Sequence, residues 1–176
     1  MSETGSGDQF RLGFLASVED DDRGVVGGLL VTNKFGRPLE FQCTTPVKPN
    51  RTQQILYGPT LRPYLLAEVV GKTLLEKIGV KPHLVLVEAP ELLELRQFVP
   101  MPVASLVSAP AVGDVTESLL ALGQQWLQFP ADCRDDLTVV RKASGQVPDT
   151  ADLKEPFDRI REALGETLKT AVARSA

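Results

Sequence analysis

The run Val25 to Thr32, VVGGLLVT, constrains the fold more than any other part of the chain. A strand sends successive side chains to opposite faces, so a run apolar at nearly every position has no face to give to water. It is far shorter than the ~18 apolar residues that suggest a membrane helix, and of the right length for a central strand buried on both faces. Gly27 and Gly28 lie side by side within it. A glycine inside a strand lets another backbone or a helix approach closely, or marks a bulge.

The flanks supply the neighbours such a strand needs. In FRLGFLASV, Phe10, Leu12, Phe14, Ala16 and Val18 share one face at period two, which predicts a first strand. The acidic EDDDRG that follows is a solvated turn. Beyond the apolar run, Asn33 and Gly36 in NKFG are placed for a type I turn closed by a left-handed residue. Leu39, Phe41 and Cys43 then alternate with Glu40, Gln42 and Thr44. Residues 27–45 therefore read as a hairpin, and the chain opens as a three-stranded antiparallel meander.

PVKPN carries the chain off the sheet. Thr60 is placed to cap a helix running to about Ile78, with Leu61, Leu65, Leu66, Val69, Val70 and Leu74 as its apolar stripe. Pro63 suits its first turn and Gly79 its end. RTQQILYG, just before, reads as a separate helical turn. HLVLVEA predicts a buried strand and PELLELR a short helix with acids at its N-terminus. FVPMPVASLVS reads as a proline-punctuated edge strand.

APAVG, residues 109–113, is the likeliest-looking boundary by composition, and after it the pattern turns helical. Asp114 with Glu117 resembles a capping box, and Val115, Leu119, Leu122 and Trp126 recur at helical spacing up to Pro130. LTVVRKA is an ambiguous short strand. A last helix from Leu153 to about Ala173 carries Phe157, Ile160, Leu164, Leu168 and Ala171 on one stripe. The expected organisation is a disordered tail (1–8), an α/β domain (9–108) and a mainly helical C-terminal extension packing on it (114–176).

Composition narrows the function. The chain has 176 residues, 43% of them hydrophobic, enough for one domain with a proper core. Its net charge of −4, with no run of Lys or Arg, argues against nucleic acid as a partner. Two cysteines at no metal spacing, a polar start and no long apolar run predict a cytoplasmic protein without a membrane segment.

The order strand, strand, strand, long helix, strand, short helix, strand resembles the ribonuclease-H-like superfold over Phe10 to about Val107. GGLLVTNKFGRPLEF is similar to that fold's second and third strands, and HLVLVEAPELL to its fourth strand and following helix. The resemblance implies a mixed sheet with C-terminal helices added. Nucleases of this fold use carboxylates around two metal ions. Their pattern puts an aspartate within the first strand, a glutamate on the first long helix and an aspartate at the end of the fourth strand. Glu88 stands at the last of these places and Glu68 in the middle of the long helix. The first strand holds no acid until Glu19 and Asp20 at its end. Asp20, Glu68 and Glu88 are thus the candidate magnesium ligands if the resemblance extends to activity.

Other constellations are weak. His83 is the single histidine, which leaves histidine-based triads and most zinc sites without material. Cys43 reads as a small core residue, and the acids around Cys133 disfavour a thiolate. No phosphate loop or dinucleotide fingerprint is present. The elbow PNRTQQILYG gathers Asn50, Arg51, Gln53 and Gln54, which either clamp a phosphate or a partner's backbone, or satisfy their own main chain. The sequence therefore points first to a non-enzymatic accessory protein that needs no cofactor. It would act through protein contacts, meeting a partner or a second copy through the C-terminal helix. The alternative is a divergent metal-dependent nuclease or nucleic-acid-processing enzyme.

Overall fold

Gly27 and Gly28 are the points at which two helices close on a sheet from opposite sides. A Cβ added at Gly27 would lie 2.0 Å from Val70 Cγ1 of the long helix, and one at Gly28 would lie 2.8 Å from Ile160 Cγ2 of the C-terminal helix. The computed structural model describes residues 9–175, and the side chains of 9–170. The tail expected at 1–8 lies outside the described residues.

The strands are β1 (Leu12–Asp20), β2 (Gly24–Thr32), β3 (Pro38–Cys43), β4 (Leu84–Val87), β5 (Val103–Val107), β6 (Leu119–Leu122) and β7 (Gln125–Gln128). They form one mixed sheet in the order β3-β2-β1-β4-β5-β7-β6. β2 pairs with β1 along its whole length and with β3 on its other side, as an apolar run without a solvent face requires. β1, β4 and β5 are mutually parallel, and β5-β7 and β7-β6 are antiparallel. The predicted turn closes the hairpin: Gly36 has φ +83°, and Asn33 Oδ1 accepts from the amides of Phe35 (2.9 Å) and Arg37 (3.0 Å).

The long helix (61–77) covers one face, burying Leu65, Leu66, Val70 and Leu74 against Leu15, Leu29, Val31 and Val85. Its middle, Tyr64–Lys72, is wound with wide π-helical turns. The C-terminal helix, Glu155–Ser175, covers the other face. Its Phe157, Ile160 and Leu164, with Leu153 just before it, bury against Phe14, Ala16, Val26, Leu30 and Leu86. Leu168 is partly buried at the end of the same stripe; the side chain of Ala171 lies outside the described ones. The stripe is satisfied within the chain. Among the described residues it therefore offers no apolar face for a partner or a second copy, which corrects that expectation.

Four local readings are also corrected. Residues 119–128 form a β-hairpin, not a helix: the buried Leu120 and Leu122 alternate at period two, and the helical spacing of Leu119, Leu122 and Trp126 arises by chance across two short strands and their loop. Gly123 (φ +56°) opens its two-residue loop. LTVVRKA belongs to a helix, Arg134–Ala143, that buries Leu137 and Val140 but leaves Val139 exposed; packing at helical spacing outweighs the β-branched composition. β5 is interior, since Pro100 and Pro102 precede the strand and the Pro102 carbonyl accepts from Val85 N at 2.9 Å. Thr60 caps nothing; its hydroxyl donates to the Tyr57 carbonyl at 2.6 Å.

Gly27→Ala should destabilise the protein by about 1–3 kcal/mol through overpacking against Val70, read as a lower denaturant midpoint. Gly165, inside the C-terminal helix, has nothing within 4 Å of an added Cβ. Gly165→Ala should therefore raise stability by about 0.5–1 kcal/mol in the same measurement.

Candidate functional site

β1, β3 and β4 run in the same direction, so their C-terminal ends meet at one edge of the sheet, the usual place for ligands on open α/β sheets. The EDDDRG turn, the PNRTQQ elbow, the start of the long helix and the segment after β4 all gather there. Val47 bridges to Val25 by paired backbone hydrogen bonds of 2.8 Å, and Lys48 Nζ donates to the Asp22 carbonyl at 3.0 Å, tying elbow to turn.

Glu19, Glu88 and Glu91 at this edge are held by arginines. Arg62, on the first turn of the long helix, donates from Nε to Glu91 at 2.9 Å and from a terminal nitrogen to Glu19. Arg161, on the C-terminal helix, donates to Glu88 and, at 3.0 Å, to Asp158. Strand alternation explains the division. Glu19 follows Leu15 and Ser17 on the face of the long helix, whereas Glu88 follows Leu84 and Leu86 on the face of the C-terminal helix. Side chains on opposite faces of one sheet do not converge on a common ion.

The three candidate metal ligands form no common group, although alternation along β1 and β4 puts Asp20 and Glu88 on the same face of the sheet. Asp20 Oδ1 accepts from the amides of Asp22 and Arg23, both at 2.9 Å, and so shapes its own turn. Glu88 is engaged by Arg161. Glu68 is half-buried near the stacked rings of Tyr57 and Tyr64, whose centroids are 4.4 Å apart. The Tyr57 hydroxyl is raised above the usual tyrosine value by its hydrogen bond with Tyr64, then by desolvation and neighbouring charge, including that of Glu68. In the middle of β1, Phe14 and Ala16 are buried apolar side chains. Among the described residues, no three acids, histidines or cysteines group to hold a metal ion. These residues do not fit a two-metal centre.

The elbow residues largely serve the main chain. Asn50 caps the helix Arg51–Tyr57 by accepting from Gln53 N at 2.8 Å, and Gln53 Oε1 accepts in return from Asn50 N at 3.0 Å. Gln54 Nε2 reaches the Pro49 carbonyl at 3.4 Å, and Arg51 leans on Gln54 at 3.5 Å. This helix buries no residue, and Ile55 and Leu56 on it are exposed. Sequence reasoning missed Arg62 and Arg161, which carry no local motif; their partners are 43 and 73 residues away in the chain.

Elsewhere, His83 Nδ1 accepts from Arg11 N at 2.9 Å and its ring stacks on Phe10, a structural role. A cavity of about 430 Å³ lies at the opposite end of the sheet, between the β2–β3 turn and the start of the C-terminal helix, away from the paired carboxylates. Arg96 holds the buried Asp136 through Nε–Oδ2 at 2.7 Å, beside Cys133.

No family model and no curated protein matches the chain. Solved structures do. Ciona intestinalis endonuclease V, in complex with a 23mer DNA containing an inosine followed by a ribo-adenosine, superposes with a TM-score of 0.51 at 9% identity, over 91% of this chain and 87% of that one. Human ENDOV matches at 0.47 and 13% identity over 92% and 87%, and Marinitoga piezophila Argonaute with a guide RNA at 0.38 and 12% over 88% and 30%. The fold is ribonuclease-H-like. The fold shared with that DNA-bound endonuclease V corrects the first functional reading, an accessory protein acting through protein contacts with nucleic acid disfavoured. Net charge sums the whole chain and does not exclude a nucleic-acid partner, because a ligand responds to the local field of the surface it meets.

Burial, followed by the charges of Asp132 and Asp136, raises the Cys133 thiol above its ordinary value. A raised value means less thiolate at a given pH, so Cys133 should be alkylated more slowly than a free cysteine at mildly alkaline pH. Asp132→Asn should narrow that gap, as followed by mass spectrometry.

Proposed function

We propose that this chain is a nucleic-acid-processing protein of ribonuclease-H-like fold that engages a strand at the edge where β1, β3 and β4 end. The observation that carries the reading is the gathering at that edge of Arg51, Arg62 and Arg161 with a stacked tyrosine pair, on a fold shared over most of its length with a DNA-bound endonuclease V. Guanidinium groups take phosphate oxygens by charge-assisted hydrogen bonds, and aromatic faces near a basic track take bases irrespective of sequence.

In this reading Asn50, Gln53 and Gln54 fix the start of the elbow helix so that the exposed Arg51 side chain meets the backbone of the strand. Arg62 is 54% exposed, and its partners Glu19 and Glu91 are 54% and 43% exposed. Ion pairs this open to water contribute only about 0–1 kcal/mol, so a phosphate can exchange with a carboxylate on the same guanidinium. The magnesium that the fold's nucleases use has no ligand set here that fits it, and no hydrolytic step is assigned to it.

The test is fluorescence anisotropy with labelled single-stranded, duplex and inosine-containing oligonucleotides across a salt series. Binding that weakens linearly in log salt is expected, with Arg51→Ala and Arg62→Ala each weakening it roughly tenfold or more and flattening the salt slope by about 1. Both variants should keep their stability within ~0.5 kcal/mol. Absence of binding by the wild-type chain to every probe at low salt would overturn the reading.

A further inference from the structure

Glu19, Glu88 and Glu91 at the working edge already have cations, and the chain supplies them. Glu19 comes from the end of β1 and Glu91 from the segment after β4, each a few residues beyond a place where the ribonuclease-H-like resemblance puts a metal ligand. One guanidinium, that of Arg62, sits between them: Nε is 2.9 Å from Glu91 Oε1, and a terminal nitrogen is bonded to Glu19 Oε1. On the other face Arg161 pairs with Glu88, at the end of β4 itself. We infer that Arg62 and Arg161 are built-in cations standing in for divalent ions, and that Glu19 and Glu91 form a carboxylate pair kept closed to such ions by Arg62.

The chemistry follows from the donor set. A divalent ion such as Mg²⁺ or Mn²⁺ favours carboxylate oxygens and, in an open site, completes its shell with water. Glu19 and Glu91 would offer it two such groups from two different elements. With Arg62 present, their charge is already partly neutralised at contact distance, and entry of an ion would bring two like-charged cations together. Without it, two carboxylates face each other across the space the guanidinium filled, and a divalent ion relieves their repulsion. Arg161 acts likewise on Glu88 and Asp158, at 3.0 Å from the latter. This inference concerns the resting protein and does not depend on strand binding.

Thermal unfolding with and without millimolar Mn²⁺ tests it, with the electron paramagnetic signal of Mn²⁺ reporting bound ion directly in each sample. The wild-type chain should be unmoved by the ion. Arg62→Gln should bind Mn²⁺ and melt about 2–4 °C higher in its presence, since an ion that binds only the folded state stabilises it. The double variant Arg62→Gln with Glu91→Gln should lose both effects. The spectroscopic readout decides even if Arg62→Gln alters baseline stability. Wild-type protein that binds Mn²⁺ as well as the single variant overturns the inference, as does a single variant that binds none or a double variant that still binds.

Discussion

The approach of a helix to each face of β2 through a glycine is the contact on which the rest of this molecule depends. Neighbouring residues of a strand face opposite ways, so Gly27 opens one side to Val70 and Gly28 opens the other to Ile160. A methyl group at either position would push a helix outward and loosen a layer. Both layers are dry, with Leu29 and Val31 on one side and Val26 and Leu30 on the other all at most 5% exposed. The long helix thereby arrives with Arg62 above the end of β1, and the C-terminal helix with Arg161 above the end of β4. The ion pairs at the edge are consequences of where the helices sit, not causes of it.

That order of cause decides how the edge should be understood. The arginine–carboxylate pairs are solvent-open and individually weak, whereas each fully buried Leu, Ile or Phe beneath them contributes roughly 1.5–3 kcal/mol. The core fixes the edge, and the edge is free to change partners. A site whose charges stabilised the fold would have to break structure in order to bind; the proposed one would not. The exception lies elsewhere, in Arg96 with the buried Asp136, where two hydrogen bonds of 2.7 and 3.3 Å tie the helix Arg134–Ala143 to the segment after β4.

The part of the fold legible in the sequence is the part set by local rules. Alternation along β1 and β3, the doubly apolar β2, and the Asn33–Gly36 turn all speak within a few residues, and their order suffices for the ribonuclease-H-like resemblance. The hairpin of β6 and β7 was hidden because four-residue strands are too short to separate period two from helical spacing, with only Gly123 to mark the loop. The site was less legible still. Glu88 and Asp20 could be picked out by position, but Asp20 is taken up by the amides of its own turn, and the arginine that Glu88 meets depends on a helix placed by distant contacts. The elbow drew notice for its polar density, most of which proves to be a capping box at Asn50 and Gln53.

The covering of β1 and β2 by the last helix has a consequence for synthesis. The side of the first hairpin that bears Phe14, Val26 and Leu30 leaves the ribosome well over a hundred residues before Phe157 and Ile160, which seal it. At ~5–20 residues per second, that face waits on the order of ten seconds in an unfinished chain. The opposite face gains its cover from the long helix much sooner. Assembly from the ribosome is therefore lopsided: one layer closes early, and the nascent protein carries an open greasy side until the helix bearing Phe157 and Ile160 emerges.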